Sequence, residues 1–266
     1  MENKKIAIIG VGNMGGAIAA GLLKSGFVTA PHISVADRKE STLKAMQELG
    51  VNTFTDNFDA AKDSDVIIVA VKPYHIESVI QDIKKALTPD KILISIVAGV
   101  GIDALGEMAG TNIPIFRVMP NTAIALQESL TCISANANTA KHREYVLEMF
   151  NKMGKTVEIG EDLMAAATVL SSCGIAFALR YIRAAMQGGI EIGFGAEMAQ
   201  FITAQTVKGA TELLLQSGHH PEREIDKVTT PMGITITGLN EMEHKGFSSS
   251  LIQGVMASYN KIDKSK

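Results

Sequence analysis

The sequence contains no tryptophan, and aromatic residues occupy only 5% of its 266 positions. Large rings therefore contribute little to its core, which must be filled by aliphatic side chains and by 13 methionines, a flexible gap-filling residue. Cysteine is nearly as scarce. Cys132 and Cys173 lie far apart, and neither has a neighbour at metal-ligand spacing. That excludes a CxxC zinc site and a disulfide-stapled scaffold, and a reduced pair in a cytoplasmic protein is expected. The six histidines form no ligand spacing either. Neither sign of charge is in excess, because 25 basic residues face 28 acidic ones for a net charge of -3. No nucleic-acid or anionic-membrane partner is expected. Long uninterrupted apolar runs are missing too. Residues 6–9 are too few for the apolar region of a leader and run straight into glycines. Residues 164–179 contain Ser171, Ser172 and Gly174 and then meet Arg180 and Arg183. We expect no stretch to reach the roughly 18 apolar residues of a membrane span.

What is present is alternation. Short apolar runs at 5–9, 33–36, 52–54, 66–70, 92–96, 115–118, 130–134 and 156–159 predict strands, several of them covered on both faces. Helical patterns lie between them. Ile76, Val79, Ile80, Ile83 and Leu87 recur at helical spacing, as do Val146, Met149, Phe150 and Met153. This order predicts a Rossmann-type doubly wound α/β domain over residues 1–160. Beyond Gly160 the strand signal stops. Residues 161–266 predict an all-helical domain, with helices at about 162–192, 196–216 and 221–226. A last helix carries Leu251, Ile252, Val255, Met256 and Tyr259 and ends in a frayed polar tail, 261–266. The stretch 164–179 is apolar or small nearly all round, so protein must surround it. We expect a homodimer through this helical domain, or a higher oligomer, against the alternative of a helix buried within one monomer.

The most specific local signal is GVGNMG at residues 10–15, between an apolar strand and a helix carrying Ile18, Leu22 and Leu23. That is the strand–turn–helix context of a dinucleotide site. Gly10 permits the tight turn, Gly12 leaves room for a pyrophosphate, and Gly15 lets helix and strand pack closely. The helix N-terminus then offers N–H groups and partial positive charge to phosphates. The second strand ends about 20 residues later at Asp37, Arg38 and Lys39, where the adenosine ribose is read. Asp37 favours the 2'-hydroxyl of NAD; Arg38 and Lys39 favour the 2'-phosphate of NADP, or are a solvated helix start.

Four further segments follow: DVIIVAVKP at 65–73, SIVAGV at 95–100, RVMPNT at 117–122 and VTTPMGITITGL at 228–239. With the glycine turn, and in this order across nearly the whole chain, they resemble the pyrroline-5-carboxylate reductase family. The last segment is the most specific. The resemblance implies reduction of 1-pyrroline-5-carboxylate to proline by NADPH, with NADH as the alternative cofactor. It also implies a helical domain that intertwines with a second subunit. Carried over residue by residue, Gly10, Val11, Gly12, Asn13, Met14 and Gly15 would hold the pyrophosphate. Asp37, Arg38 and Asn57 would lie at the adenosine end. Val71, Lys72, Pro73 and Ala98, with Met119, Pro120 and Asn121, would line the nicotinamide side. Glu161 matches a family acid, or is a helix-start carboxylate favoured by the macrodipole. Thr235 would reach the ring nitrogen of the imine, while Thr230, Gly233 and Ile234 receive its carboxylate. For Thr230 and Thr235, helix capping around Pro231 is the structural alternative.

The likeness has gaps. Ser172, Cys173, Ile175 and Phe177 interrupt a usual LSGSGPAY, Ala165 replaces an aspartate, and Ala123 and Met232 stand where Pro and Gly are common. Met232 would restrict the backbone beside the proposed carboxylate cradle. Arg180 and Arg183 share a helix face and are expected to pair with acids across a dimer, with contact of one of them to a substrate carboxylate as the alternative. Cys173 reads as a small core residue. Two readings compete with the reductase: a catalytically silent dinucleotide-binding paralogue, and a reductase of another cyclic imine or of a small 3-hydroxy acid. The hydroxy-acid branch needs a lysine in the long helix, and none occurs between Glu161 and Phe194.

Overall fold

A computed structural model describes residues 4–110 and 112–263. Eight strands form one sheet: β1 (Ile6–Ile9), β2 (Ile33–Ala36), β3 (Asn52–Phe54), β4 (Val66–Val69), β5 (Ile92–Ser95), β6 (Ile115–Met119), β7 (Ser129–Ala135) and β8 (Gly154–Glu158). Their spatial order is β3-β2-β1-β4-β5-β6-β7-β8. The first six pair in parallel. Strand order reverses at β1, which lies between β2 and β4, and a doubly wound sheet opens its ligand crevice at that point.

Among the described residues, twelve α-helices accompany the sheet. They are α1 (Asn13–Lys24), α2 (Glu40–Glu48), α3 (Asn57–Ala61), α4 (Ile76–Ile83), α5 (Ile102–Ala109), α6 (Arg143–Asn151), α7 (Met164–Ala167), α8 (Gly174–Glu191), α9 (Ala196–Ser217), α10 (Pro221–Lys227), α11 (Ile234–His244) and α12 (Phe247–Asp263). Period-two alternation divides the core. Ile6 and Ile8 of β1 join one cluster with Ile18 and Leu22 of α1 and Val146, Met149 and Phe150 of α6. Ala7 and Ile9 join the other with Ala60 of α3, Ile80 and Ile83 of α4 and Leu105 of α5. Strands clothed on both faces explain the unbroken apolar runs in the sequence.

The eight strands fall where the sequence predicts them, within one or two residues at each end. Three features differ from expectation. First, β7 runs antiparallel to β6. Only a short 3-10 turn, Thr122–Leu126, links them, and a parallel return needs a crossover of a dozen or more residues. Second, the segment expected as one helix at 162–192 is interrupted. A 3-10 turn (Glu161–Leu163) leads into α7, and a π-helical stretch, Thr168–Cys173, separates α7 from α8. Third, α11 was implied only by the capping alternative at Pro231 and had no expected bounds, because a Thr-rich, Gly-bearing segment has weak helix propensity. The expected frayed tail is helical through Asp263, and residues 264–266 lie outside those described. His220 caps α10 through its ring, and Pro221 opens that helix as expected.

The chain divides into two compact units. One runs through Cys173 and includes the segment from Tyr259; the other is Gly174–Ser258. In the helical unit, α8 contains no buried residue and α9 only Ala199. Leu179, Ile190, Met198, Phe201, Leu213 and Leu215 are all exposed. The run Glu161–Glu191 is long and apolar enough to cross a membrane by length and composition, with a mean hydropathy of 1.7 in its best window. This differs from the sequence expectation, because the small residues that interrupt the run barely lower its average. Arg180 and Arg183 make no ion pair among the described residues; Arg183 donates weakly to Met186 Sδ at 4.0 Å.

Two stability effects follow. Gly154 has φ +145, and a Cβ there would lie 2.0 Å from the Ser129 carbonyl oxygen on β7. Gly154→Ala is expected to lose about 2–4 kcal/mol in urea unfolding, through strain and overpacking together. His142 is 8% exposed, and its Nε2 has no hydrogen-bond partner among the described residues. Burial, with Lys141 and Lys4 as lesser causes, holds its pKa below the ordinary 6.5. The unfolded chain therefore takes up a proton that the folded chain resists. The His142 contribution is complete above 6.5 and declines as pH falls below it. Unfolding free energies measured from about pH 7.5 to about 5.5 should fall less steeply in His142→Gln.

Candidate active site

The glycine turn joins β1 to α1 at the point where strand order reverses. Gly10 has φ +90, and a Cβ there would lie 2.8 Å from Val71 Cγ1. A Cβ on Gly15 would lie 2.0 Å from the Gly10 carbonyl oxygen. A larger residue at Gly15 pushes helix and strand apart, and one at Gly10 strikes the chain just after β4. Gly12 is different: no atom lies within 4 Å of its would-be Cβ. It caps α1 without a side-chain hydrogen bond, and the first turn of α1 carries no acid. An exposed helix N-terminus with open space in front of it suits a dinucleotide pyrophosphate. Asn13 is exposed and Met14 half-buried, while the Val11 side chain belongs to the core.

Next to the turn, Asp37 follows β2. Its Oδ2 accepts from Val11 N at 3.1 Å and its Oδ1 from Lys39 N at 2.9 Å. One carboxylate thus fixes the glycine turn to the β2 loop. Arg38 extends from the same loop, exposed, and Asn57 opens α3 just beyond β3. The Asn57 amide donates to Asp82 Oδ2 at 2.9 Å. On the other side of β1, Val71 is half-buried, Lys72 and Pro73 are exposed, and Ala98 lies exposed after β5.

Met119, Pro120 and Asn121 stand at the end of β6, and all three are buried. Met119 packs with Cys132 and Met164. Asn121 donates to the Ser171 carbonyl at 3.2 Å and accepts from Ala123 N at 3.0 Å. The π-helical stretch shifts the helix ladder at Ser171, and the Asn121 amide meets that carbonyl. The side chains of Met119 and Asn121 therefore hold structure together at the end of β6. Cys132 is buried, which pushes its thiol pKa up and leaves it unreactive.

Glu161 stands in the 3-10 turn that opens the helical segment, as the helix-start reading expects. Its Oε1 accepts from Arg117 Nη1 at 2.6 Å and from Ile102 N, in the first turn of α5, at 3.1 Å. Arg117 is a buried cation inside an otherwise apolar strand. A lone arginine in the run IFRVM requires a buried partner, and that requirement is the one signal in the sequence that marks it. The pair joins β6, the loop after β5 and the start of the helical segment.

In the helical unit, Thr230, Gly233, Ile234 and Thr235 share one turn at the start of α11. Gly233 is the N-cap, and its N–H donates to the Thr230 carbonyl at 2.9 Å. Neither threonine caps the helix. Thr237 Oγ1 bonds back to the Gly233 carbonyl at 3.1 Å, whereas the Thr235 hydroxyl has no hydrogen bond among the described residues. Met232 has φ +58 and is fully exposed, so a left-handed backbone stands where the resemblance expects Gly.

Glu161→Ala should leave the Arg117 charge buried and unpaired. We expect a stability loss of about 2–3 kcal/mol in denaturant, below the range for fully buried pairs because Glu161 retains some water. Arg117→Met/Glu161→Leu should recover much of that loss.

Residues 161–265 match a family model described as pyrroline-5-carboxylate reductase dimerisation. Residues 5–99 match one described as NADP oxidoreductase, coenzyme F420-dependent. The chain is 43% identical to pyrroline-5-carboxylate reductase 1 of Dictyostelium discoideum over 96% of its own length, but spans only about half (49%) of that relative. It is 41% identical to pyrroline-5-carboxylate reductase 2 of the same organism, covering 100% of this chain and 94% of the relative. The crystal structure of Plasmodium falciparum pyrroline carboxylate reductase with NADP bound superposes with a TM-score of 0.90. Its identity is 32%, and 98% of each chain is covered. A glycine turn built for a dinucleotide, a threonine-bearing loop with an unengaged hydroxyl, and relatives that match from end to end place this chain in the pyrroline-5-carboxylate reductase family.

Proposed function

We propose that this chain reduces 1-pyrroline-5-carboxylate to L-proline, the last step in making that amino acid. The observation that carries the reading is the cradle at Gly12, open in front of a helix N-terminus that no side chain caps, in a chain 41% identical to a reductase of this name over its full length. A bound reduced nicotinamide supplies the hydride for the C=N carbon. The residues of the chain hold, orient and shield. Gly10 to Gly15 anchor the pyrophosphate, and Asp37, by tying Val11 N to the β2 loop, keeps the turn in its binding shape. Val71, Lys72, Pro73, Ala98 and the backbone of residues 119–121 line the nicotinamide side, and the Arg117–Glu161 pair braces the loop beneath it.

At the substrate, Thr235 donates its hydroxyl to the ring nitrogen. Negative charge then does not build there as the C=N bond is reduced, and the one proton the amine requires is relayed through this hydroxyl, which regains its own from solvent water. Thr230 and the N–H groups of Gly233 and Ile234 receive the carboxylate. The chain assembles as a homodimer through residues 161–266. The exposed apolar faces of α8 and α9 and the dimerisation family model support that assembly. Two free cysteines accord with a cytoplasmic enzyme. Asp37 already has a backbone role, so its presence does not require NADH. With Arg38 and Lys39 beside it, the preferred cofactor is NADPH.

Mixing purified protein with 1-pyrroline-5-carboxylate and NADPH, then with NADH, tests the reading through loss of the reduced-nicotinamide absorbance. Turnover with NADPH at a lower KM than with NADH is expected; bound cofactor without decay would mark a silent paralogue. Thr235→Ala should lose about 100-fold or more in kcat with cofactor affinity intact, and Thr235→Ser should keep most activity. Full activity in Thr235→Ala removes that hydroxyl from the chemistry.

A further inference from the structure

Arg38 Nη2 lies 3.0 Å from His75 Nε2. A guanidinium has no acceptor atom, so Arg38 donates and Nε2 of His75 carries a lone pair; the ring proton sits on Nδ1. The two residues come from loops on opposite sides of β1. Arg38 follows β2, and His75 ends the 3-10 turn Pro73–His75 after β4. Strand β1 lies between β2 and β4 and ends at the glycine turn. The bond therefore joins the two loops that flank that turn. His75 is a firm mount: its N–H donates to the Lys72 carbonyl at 2.9 Å, its carbonyl accepts from Ser78 Oγ at 3.0 Å, and it is the N-cap residue of α4. The exposed Tyr74 ring packs edge-on against its imidazole, with centroids 4.4 Å apart.

We propose that His75 is a positioning residue for cofactor choice: it holds the Arg38 guanidinium in place to receive the 2'-phosphate that distinguishes NADPH from NADH. An exposed arginine otherwise samples many rotamers, and immobilising it on binding weakens affinity. A neutral imidazole restricts that freedom without adding a competing anion, and it leaves the remaining guanidinium N–H groups for phosphate. Asp37, which repels a 2'-phosphate, is held by Val11 N and Lys39 N and does not compete for Arg38. The inference rests on the dinucleotide-site reading given above.

The test uses the intact protein and two probes, 2',5'-ADP and 5'-AMP, titrated by calorimetry, with NADPH and NADH kinetics alongside. His75→Ala should weaken 2',5'-ADP binding and raise the NADPH KM about three- to tenfold. The 5'-AMP affinity, the NADH KM and kcat should stay within about twofold. His75→Gln, which returns an acceptor, should recover most of the loss. In an Arg38→Ala background, adding His75→Ala should have no further effect on 2',5'-ADP. Equal losses for both probes, no loss for either, or tighter 2',5'-ADP binding in His75→Ala would each overturn the inference while leaving the reductase reading standing. A wild-type protein that binds neither probe and uses neither cofactor overturns both.

Discussion

The approach of Gly15 to the Gly10 carbonyl is the constraint on which the nucleotide half depends. A single carbon added to Gly15 would lie 2.0 Å from that oxygen. With no side chain at either position, α1 can begin directly against the end of β1, and its N-terminus points into the crevice where strand order reverses. Once that turn is set, the loops after β2 and β4 are brought to either side of it by ordinary parallel pairing.

Two carboxylates then stiffen the loops at this end of the sheet. Asp37 binds the glycine turn to the loop after β2, and Glu161 binds β6 to the first turn of α5. Each acts through backbone N–H groups that would otherwise need water, which is why their positions are determined so closely. Arg117 makes the second brace more demanding. A buried guanidinium strongly requires its partner, so the pair sets the relation between the sheet and the first turn of the helical segment.

The helical unit poses the opposite problem, because α8 and α9 bury almost nothing within the chain. A run as apolar as Glu161–Glu191 satisfies the hydropathy test for a membrane span and also the requirement for a subunit interface, since both demand apolar residues on every side. The match of residues 161–265 to a dimerisation model makes association the function we propose for these faces. Met232 fits the same pattern on a smaller scale: it adopts a left-handed backbone and gains no cover within the chain.

By itself the sequence determined what rests on local periodicity and backbone sterics. Two-residue alternation and continuous apolar runs located all eight strands, and the glycine spacing located the dinucleotide turn, because both depend on neighbours a few positions apart. The TTPMGIT run marked the α11 loop as a site segment, but its weak propensity hid the helix that follows. Only tertiary structure decided matters between residues far apart in the chain. It turned β7 antiparallel, since the length of the β6–β7 link and not the strand's composition sets direction. It gave Glu161 to Arg117, 44 positions away, and Arg38 to His75, 37 positions away. A charged side chain discloses that it needs a partner; which partner it meets is decided by the fold that carries both.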